Sequence, residues 1–173
     1  RDLGSEKCIR LKEGRLSLDP MECRLDVWEF DRLLGKADAL WKDDRDKAIG
    51  LIENAVGLYR GGFLPEDGGA GWATSMRERM RSKFIGALHR LGHYCEEQGA
   101  YDRAAGYYAK GLEADDLSEE FYQSLMLCYH AMGRNAEALS VYRTCRSVLH
   151  DVLNIEPSQK TESICRDIKA SSK

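Results

Sequence analysis

The sequence predicts an all-α protein, a right-handed superhelix of about seven helices with a small β-hairpin at its N-terminus. Three observations carry this reading. Apolar residues recur at steps of three and four through most of the chain from Asp26 onward. A segment beginning at Gly133 repeats one beginning at Gly99. Only a short N-terminal stretch alternates residue by residue. The 173 residues are 43% hydrophobic and 32% charged with a net charge of −3, the balance of a water-soluble domain able to bury a core.

The alternating stretch is "CIRLKEGRLSLD", residues 8–19. Ile9 and Leu11 share one side, Arg10 and Lys12 the other, and Leu16 and Leu18 resume the alternation after Lys12-Glu13-Gly14-Arg15, which predicts a hairpin with one buried face. An isolated two-stranded hairpin is marginal in water, so it is expected to dock on the helices. From Asp26, the expected N-cap, Val27, Phe30, Leu34, Ala37 and Trp41 mark a first helix. Ala48, Ile52, Ala55 and Tyr59 mark a second, from about Asp44 to Arg60. Gly61 or Gly62 then ends it, Pro65 cannot continue it, and "EDGGAG" widens the break. Trp72, Met76, Met80, Phe84, Leu88, Leu91 and Cys95 imply a helix of roughly 25 residues ending near Gly99.

"GAYDRAAGYY" and "GRNAEALSVY" lie 34 residues apart, with Gly99/Gly133, Ala104/Ala138 and Tyr108/Tyr142 in register. That period, with small residues where two helices cross, is the mark of tetratricopeptide repeats. Glycine ends the first helix of each pair, alanine admits close approach in the second, and tyrosine fills the seam to the next pair. The match is imperfect: Leu91-Gly92 fits, Leu125-Met126 has lost the glycine, and neither unit ends in proline. The helix at 44–60 is a candidate half of a third repeat. Pro157-Ser158 starts a terminal helix that caps the last repeat through Ile164 and Ile168.

No reaction centre emerges. The glycines after Tyr59 follow a helix and lack the Lys-Ser or Lys-Thr of a phosphate loop, which leaves a structural elbow. His89 and His93 have a helical metal-ligand spacing, yet two imidazoles leave a coordination sphere half empty, so no metal and no cofactor are assigned. A sensor built on this histidine pair is a third, weaker reading. The repeat register places His89, His93, Glu96, Gln123, Leu127 and His130 on first helices, where such solenoids line a concave protein-binding face. Arg77, Arg79, Arg81 and Lys83 spread over three sides of their helix and read as a solvated surface rather than a nucleic-acid stripe. Arg10, Lys12 and Arg15 are co-facial near the hairpin turn and within reach of a DNA backbone. Six scattered cysteines without a C-x-x-C pair, three of them (Cys95, Cys128, Cys145) on apolar helical faces, read as buried reduced thiols of a cytoplasmic protein. No run is apolar for long enough to span a bilayer, and no membrane partner is expected.

"DVWEFDRLL", "AVGLYRGGFLPED", Trp72 with "RERM", and the stretch from "GAYDRAAGYYAKGLEADDLSEEFYQ" to "LNIEPSQKT" together resemble the bacterial transcriptional activator domain. This is the tetratricopeptide-like module of the antibiotic-regulatory-protein type of transcription factors and of MalT-like regulators. The resemblance covers about residues 24–170. It implies an activator module at 24–173 that is not an enzyme, working by contact with its own chain, a second copy or the transcription machinery. It further implies that residues 1–23 are the wing-like hairpin remnant of an OmpR-like winged helix whose recognition helix lies before residue 1, so that DNA is met only through that upstream domain. A generic repeat scaffold without a transcriptional role is the alternative.

Overall fold

The structure, a computed structural model, describes residues 8–12, 14–19, 25–61 and 71–171. The side chains of Arg10, Lys12, Arg15, Leu16, Ser17 and residues 71–73 lie outside the description, as do Cys23 and the elbow residues 62–70. Expectations on those positions, including the wing cations and Trp72, are therefore not addressed by the coordinates. The chain divides into two compact units, Arg1–Gly61 and Gly62–Lys173.

In the first unit, β1 (Ile9–Lys12) pairs antiparallel with β2 (Arg15–Leu18), Ile9 opposite Leu18 and Lys12 opposite Arg15. Gly14 takes φ +75° at the turn, a backbone conformation that glycine adopts without a Cβ clash. The expected buried face is corrected: Ile9 is 49% and Leu11 71% exposed, because no described element of the chain covers them. Two helices follow, α1 (Asp26–Leu40) and α2 (Arg45–Leu58). Leu25, not Asp26, is the N-cap of α1 and gives no side-chain bond; Asp26 is the first helical residue, where its charge suits the positive end of the helix dipole. Asp44 does cap α2, accepting from Lys47 N at 3.1 Å. The pair buries Phe30, Leu33, Leu34 and Ala37 on α1 and Ala48, Ile49, Ile52, Ala55 and Val56 on α2, the faces that the three-and-four spacing picks out. α2 stops at Leu58, two residues short of expectation, with Gly61 at φ +126° beyond it.

The second unit holds α3 (Gly71–Glu97), α4 (Tyr101–Ala114), α5 (Glu119–Ala131), α6 (Asn135–Leu153) and α7 (Gln159–Ser171), each packed on the next, with α7 also on α5. The repeat is visible in its hydrogen bonds. At the end of α3, Gly99 N donates to Glu96 O at 2.9 Å and Ala100 N to Cys95 O at 2.8 Å. At the end of α5, 34 residues on, Gly133 N donates to His130 O at 2.9 Å and Arg134 N to Tyr129 O at 2.8 Å. Both glycines sit near φ +70°, so each first helix ends in the same left-handed motif.

The crossings use small residues, as expected, but not only the alanines. Ala104 and Ala138 are fully buried, Ala138 among Met126, Cys165 and Ile168. Gly92 and Gly111 permit closer approach still: a Cβ on Gly92 would lie 2.3 Å from the Tyr108 ring, and one on Gly111 2.4 Å from Phe121. Phe84, Leu88 and Leu91 bury the α3 face, each contributing on the order of 1.5–3 kcal/mol. α7 seals the far end by inserting Thr161, Cys165 and Ile168. The five described cysteines are all buried, and none of them is in a disulfide.

Candidate functional site

α3 and α5 are the first helices of successive pairs, and side chains bridge them at two levels. His89 stacks on Phe121 with ring centroids 4.0 Å apart and planes 12° from parallel, and its Nε2 lies 3.7 Å from Glu120. Half-burial lowers the His89 pKa, with Glu120 opposing that shift, so the ring is neutral near pH 7 and stacks as an aromatic. Further along, Cys128 Sγ donates to Glu96 Oε1 at 3.4 Å. Burial and that carboxylate push the Cys128 thiol up to about 12, and the same two causes, with a hydrogen bond to Glu96, raise Tyr108 well above its ordinary value.

The six residues predicted to share a face meet different fates. His93 is exposed, with Nδ1 3.2 Å from Glu97, one turn along α3. Leu127 is 45% exposed although its neighbours Met126 and Cys128 are wholly buried. His130 is half-buried, with Nδ1 2.7 Å from Asn135 Oδ1. Glu96 is engaged inside the α3–α5 seam. Gln123 is not on an open surface: it is buried beneath α7, donating to Thr161 Oγ1 at 2.8 Å and to Ser158 Oγ at 3.5 Å. Of the six, His93 and Leu127 are exposed, and His89 and His130 are partly buried. Among the described residues, no group of three or more His, Cys, Asp or Glu is arranged to hold a metal ion.

Two long-range contacts escape periodicity altogether. Arg81, read as part of a solvated face, donates from Nε to the Ala114 carbonyl at 2.8 Å and pairs with Asp115 at 3.1 Å, which closes the C-terminal end of α4. Glu119, in the first turn of α5, accepts from Ser158 N at 2.7 Å and from Thr161 Oγ1, fastening the start of α7. A charge pattern names neither, since each contact spans more than 30 residues.

The model of the family "Bacterial transcriptional activator domain" matches residues 25–169. The transcriptional regulator RedD of Streptomyces coelicolor is 28% identical over 142 residues, covering 82% of this chain and 40% of RedD. The regulatory protein DnrI of Streptomyces peucetius is 26% identical over 165 residues, covering 90% of the chain and 58% of DnrI. The regulatory protein AfsR of Streptomyces griseus is 29% identical over 114 residues, 66% of the chain but 12% of AfsR. The chain therefore spans between an eighth and three fifths of these relatives. A C-terminal TPR-containing domain of a Plasmodium falciparum FK506-binding protein superposes with a TM-score of 0.56 at 14% identity, covering 85% of this chain and 93% of that one, a likeness of fold alone.

Proposed function

The chain belongs to the bacterial transcriptional activator domain family, and on that premise we propose that its α3–α5 face docks a protein segment when the parent regulator activates transcription. It is an activator module of a transcription regulator, not an enzyme. The observation that carries the docking reading is Leu127, an apolar side chain 45% exposed between two fully buried neighbours on α5. A rigid pair of packed helices presents such a face at little ordering cost, which favours contact by a partner segment. The partner belongs to the transcription machinery, the same chain or a second copy.

The reading extends to residues 1–23 as the wing-like remnant of an OmpR-like winged helix. The exposure of Ile9 and Leu11 supports it, since an uncovered apolar strand face calls for a neighbouring element. Arg10, Lys12 and Arg15 would then meet the DNA backbone, with specific DNA recognition left to the upstream domain, and residues 24–173 form the effector. No described helix is long and apolar enough to cross a membrane. On this reading the place of action is the cytoplasm, where a regulator meets its promoter.

Fusing the chain to an unrelated DNA-binding domain, in a Streptomyces host carrying that domain's operator upstream of a reporter, tests this function. Reporter expression above that given by the DNA-binding domain alone is expected. A folded, operator-bound fusion that leaves expression at the basal level contradicts it.

A further inference from the structure

α5 turns most of its surface inward, burying Phe121, Tyr122, Gln123, Leu125, Met126 and Cys128. Its exposed residues, Glu120, Leu127 and Ala131, fall on one line with the partly buried Ser124. The steps along that line are four, three and four, the spacing that stacks side chains on a single side of a helix. Ser124 and Ala131 are small, so the reach of the stripe comes from Glu120 and Leu127. These two lie seven residues apart, about 10.5 Å along the axis.

Both side chains carry chemistry that the described chain leaves unused. Leu127 is the one large apolar side chain of α5 exposed to water. The Glu120 side chain is 78% exposed, and the group set against it is His89 Nε2 at 3.7 Å. Burial holds that imidazole neutral near pH 7, so it does not offset the charge of the carboxylate. An apolar side chain and a carboxylate without a counter-charge, two helical turns apart on one stripe, are complementary to a segment of defined chemistry. That segment carries an aliphatic or aromatic side chain and, about 10 Å away, a lysine or arginine. With a net charge of −3, a second copy of this chain is the poorer electrostatic match.

We infer that the segment docking at Leu127 is a basic segment of another protein, which sets a lysine or arginine against Glu120 while its apolar side chain covers Leu127. This rests on the docking reading proposed above and adds the chemistry of the occupant. Arginine is the better fit, because its planar fork takes both oxygens of a carboxylate. The two contacts divide the work. Leu127 supplies the apolar contact, and Glu120 selects the sign of the partner's charge, which suppresses acidic competitors. Salt screens the second contact and leaves the first in place.

Selection of displayed random peptides on the immobilised full chain tests this inference, with three variants carried in parallel. These are Glu120→Lys, Leu127→Glu and, as the control for net charge, Glu113→Lys, whose exposed side chain lies on α4. All three positions are exposed, so the unfolding midpoints should match the native one. The native chain and the control are expected to select a lysine or arginine together with an apolar residue. Their spacing is three residues in an extended peptide or seven in a helical one, each about 10 Å. Glu120→Lys should select an acid in place of the base, and should bind a peptide chosen on the native chain about fivefold or more weakly at low salt. That gap should close at high salt. Basic peptides selected equally by the native chain and Glu120→Lys overturn the inference, as do native selections without a charge preference. The docking reading stands through either result as long as Leu127→Glu abolishes selection. Peptides indifferent to Leu127→Glu, or no peptide enriched on the native chain, overturn both.

Discussion

Gly92 faces the Tyr108 ring so closely that any side chain there must displace a ring only 2% exposed. Gly92→Ala is expected to lower stability by about 1–3 kcal/mol, the usual cost of overpacking, read from urea unfolding. Gly86→Ala is the control on the same helix, because nothing lies within 4 Å of a Cβ there. It should be neutral or mildly stabilising, as alanine is the better helix former. Equal losses at both positions would contradict the crossing described here. The cysteines give a second residue-scale expectation. Burial pushes the Cys128 and Cys145 thiols up to about 12, so almost no thiolate exists near pH 7. A thiol reagent should reach the five described cysteines only on unfolding, and rapid modification of Cys128 or Cys145 in the native protein would refute that.

At the scale of elements, α7 is held by Glu119 as well as by its apolar face. Burial raises the Glu119 pKa, but the hydrogen bonds from Thr161, Ser158 and Gln123 outweigh it and hold the carboxyl below its ordinary value. A carboxylate with a depressed folded pKa binds fewer protons in the folded than in the unfolded chain as the solution turns acid. Its stabilisation is complete above the unfolded value, about 4.3, and disappears as pH falls through the lower folded value. Glu119→Gln should therefore be less stable than the native chain at pH 7, with the gap narrowing below about pH 4. A gap independent of pH would show that Glu119 acts by packing alone.

Helix count and repeat phase are legible in the sequence because both rest on local spacing: Gly99 and Gly133 terminate α3 and α5 in one motif, and the middles of the apolar stripes are buried, while Val27, Trp41, Tyr59 and Met76 at their ends are only partly so. Caps were harder to read. Asp26 and Leu25 differ by one position, and a carboxylate serves the first turn almost as well as the cap. The candidate face was half legible. Register places Gln123 beside Leu127 on α5, but only tertiary packing reveals that α7 covers one and leaves the other open. The hairpin's alternation reports which residues share a face, not whether anything in the described chain lies on it, and Ile9 and Leu11 are exposed.

For the whole molecule, the docking role proposed for the exposed residues of α3 and α5 is tested most directly by promoter activation by the parent regulator carrying His93→Glu and Leu127→Glu. Both side chains are exposed, so the unfolding midpoint and promoter occupancy should stay at their native values. Activation should fall by about tenfold or more, the consequence of losing roughly 1.4 kcal/mol at the docking contact. Native-level activation by a stable, promoter-bound double variant would contradict the account.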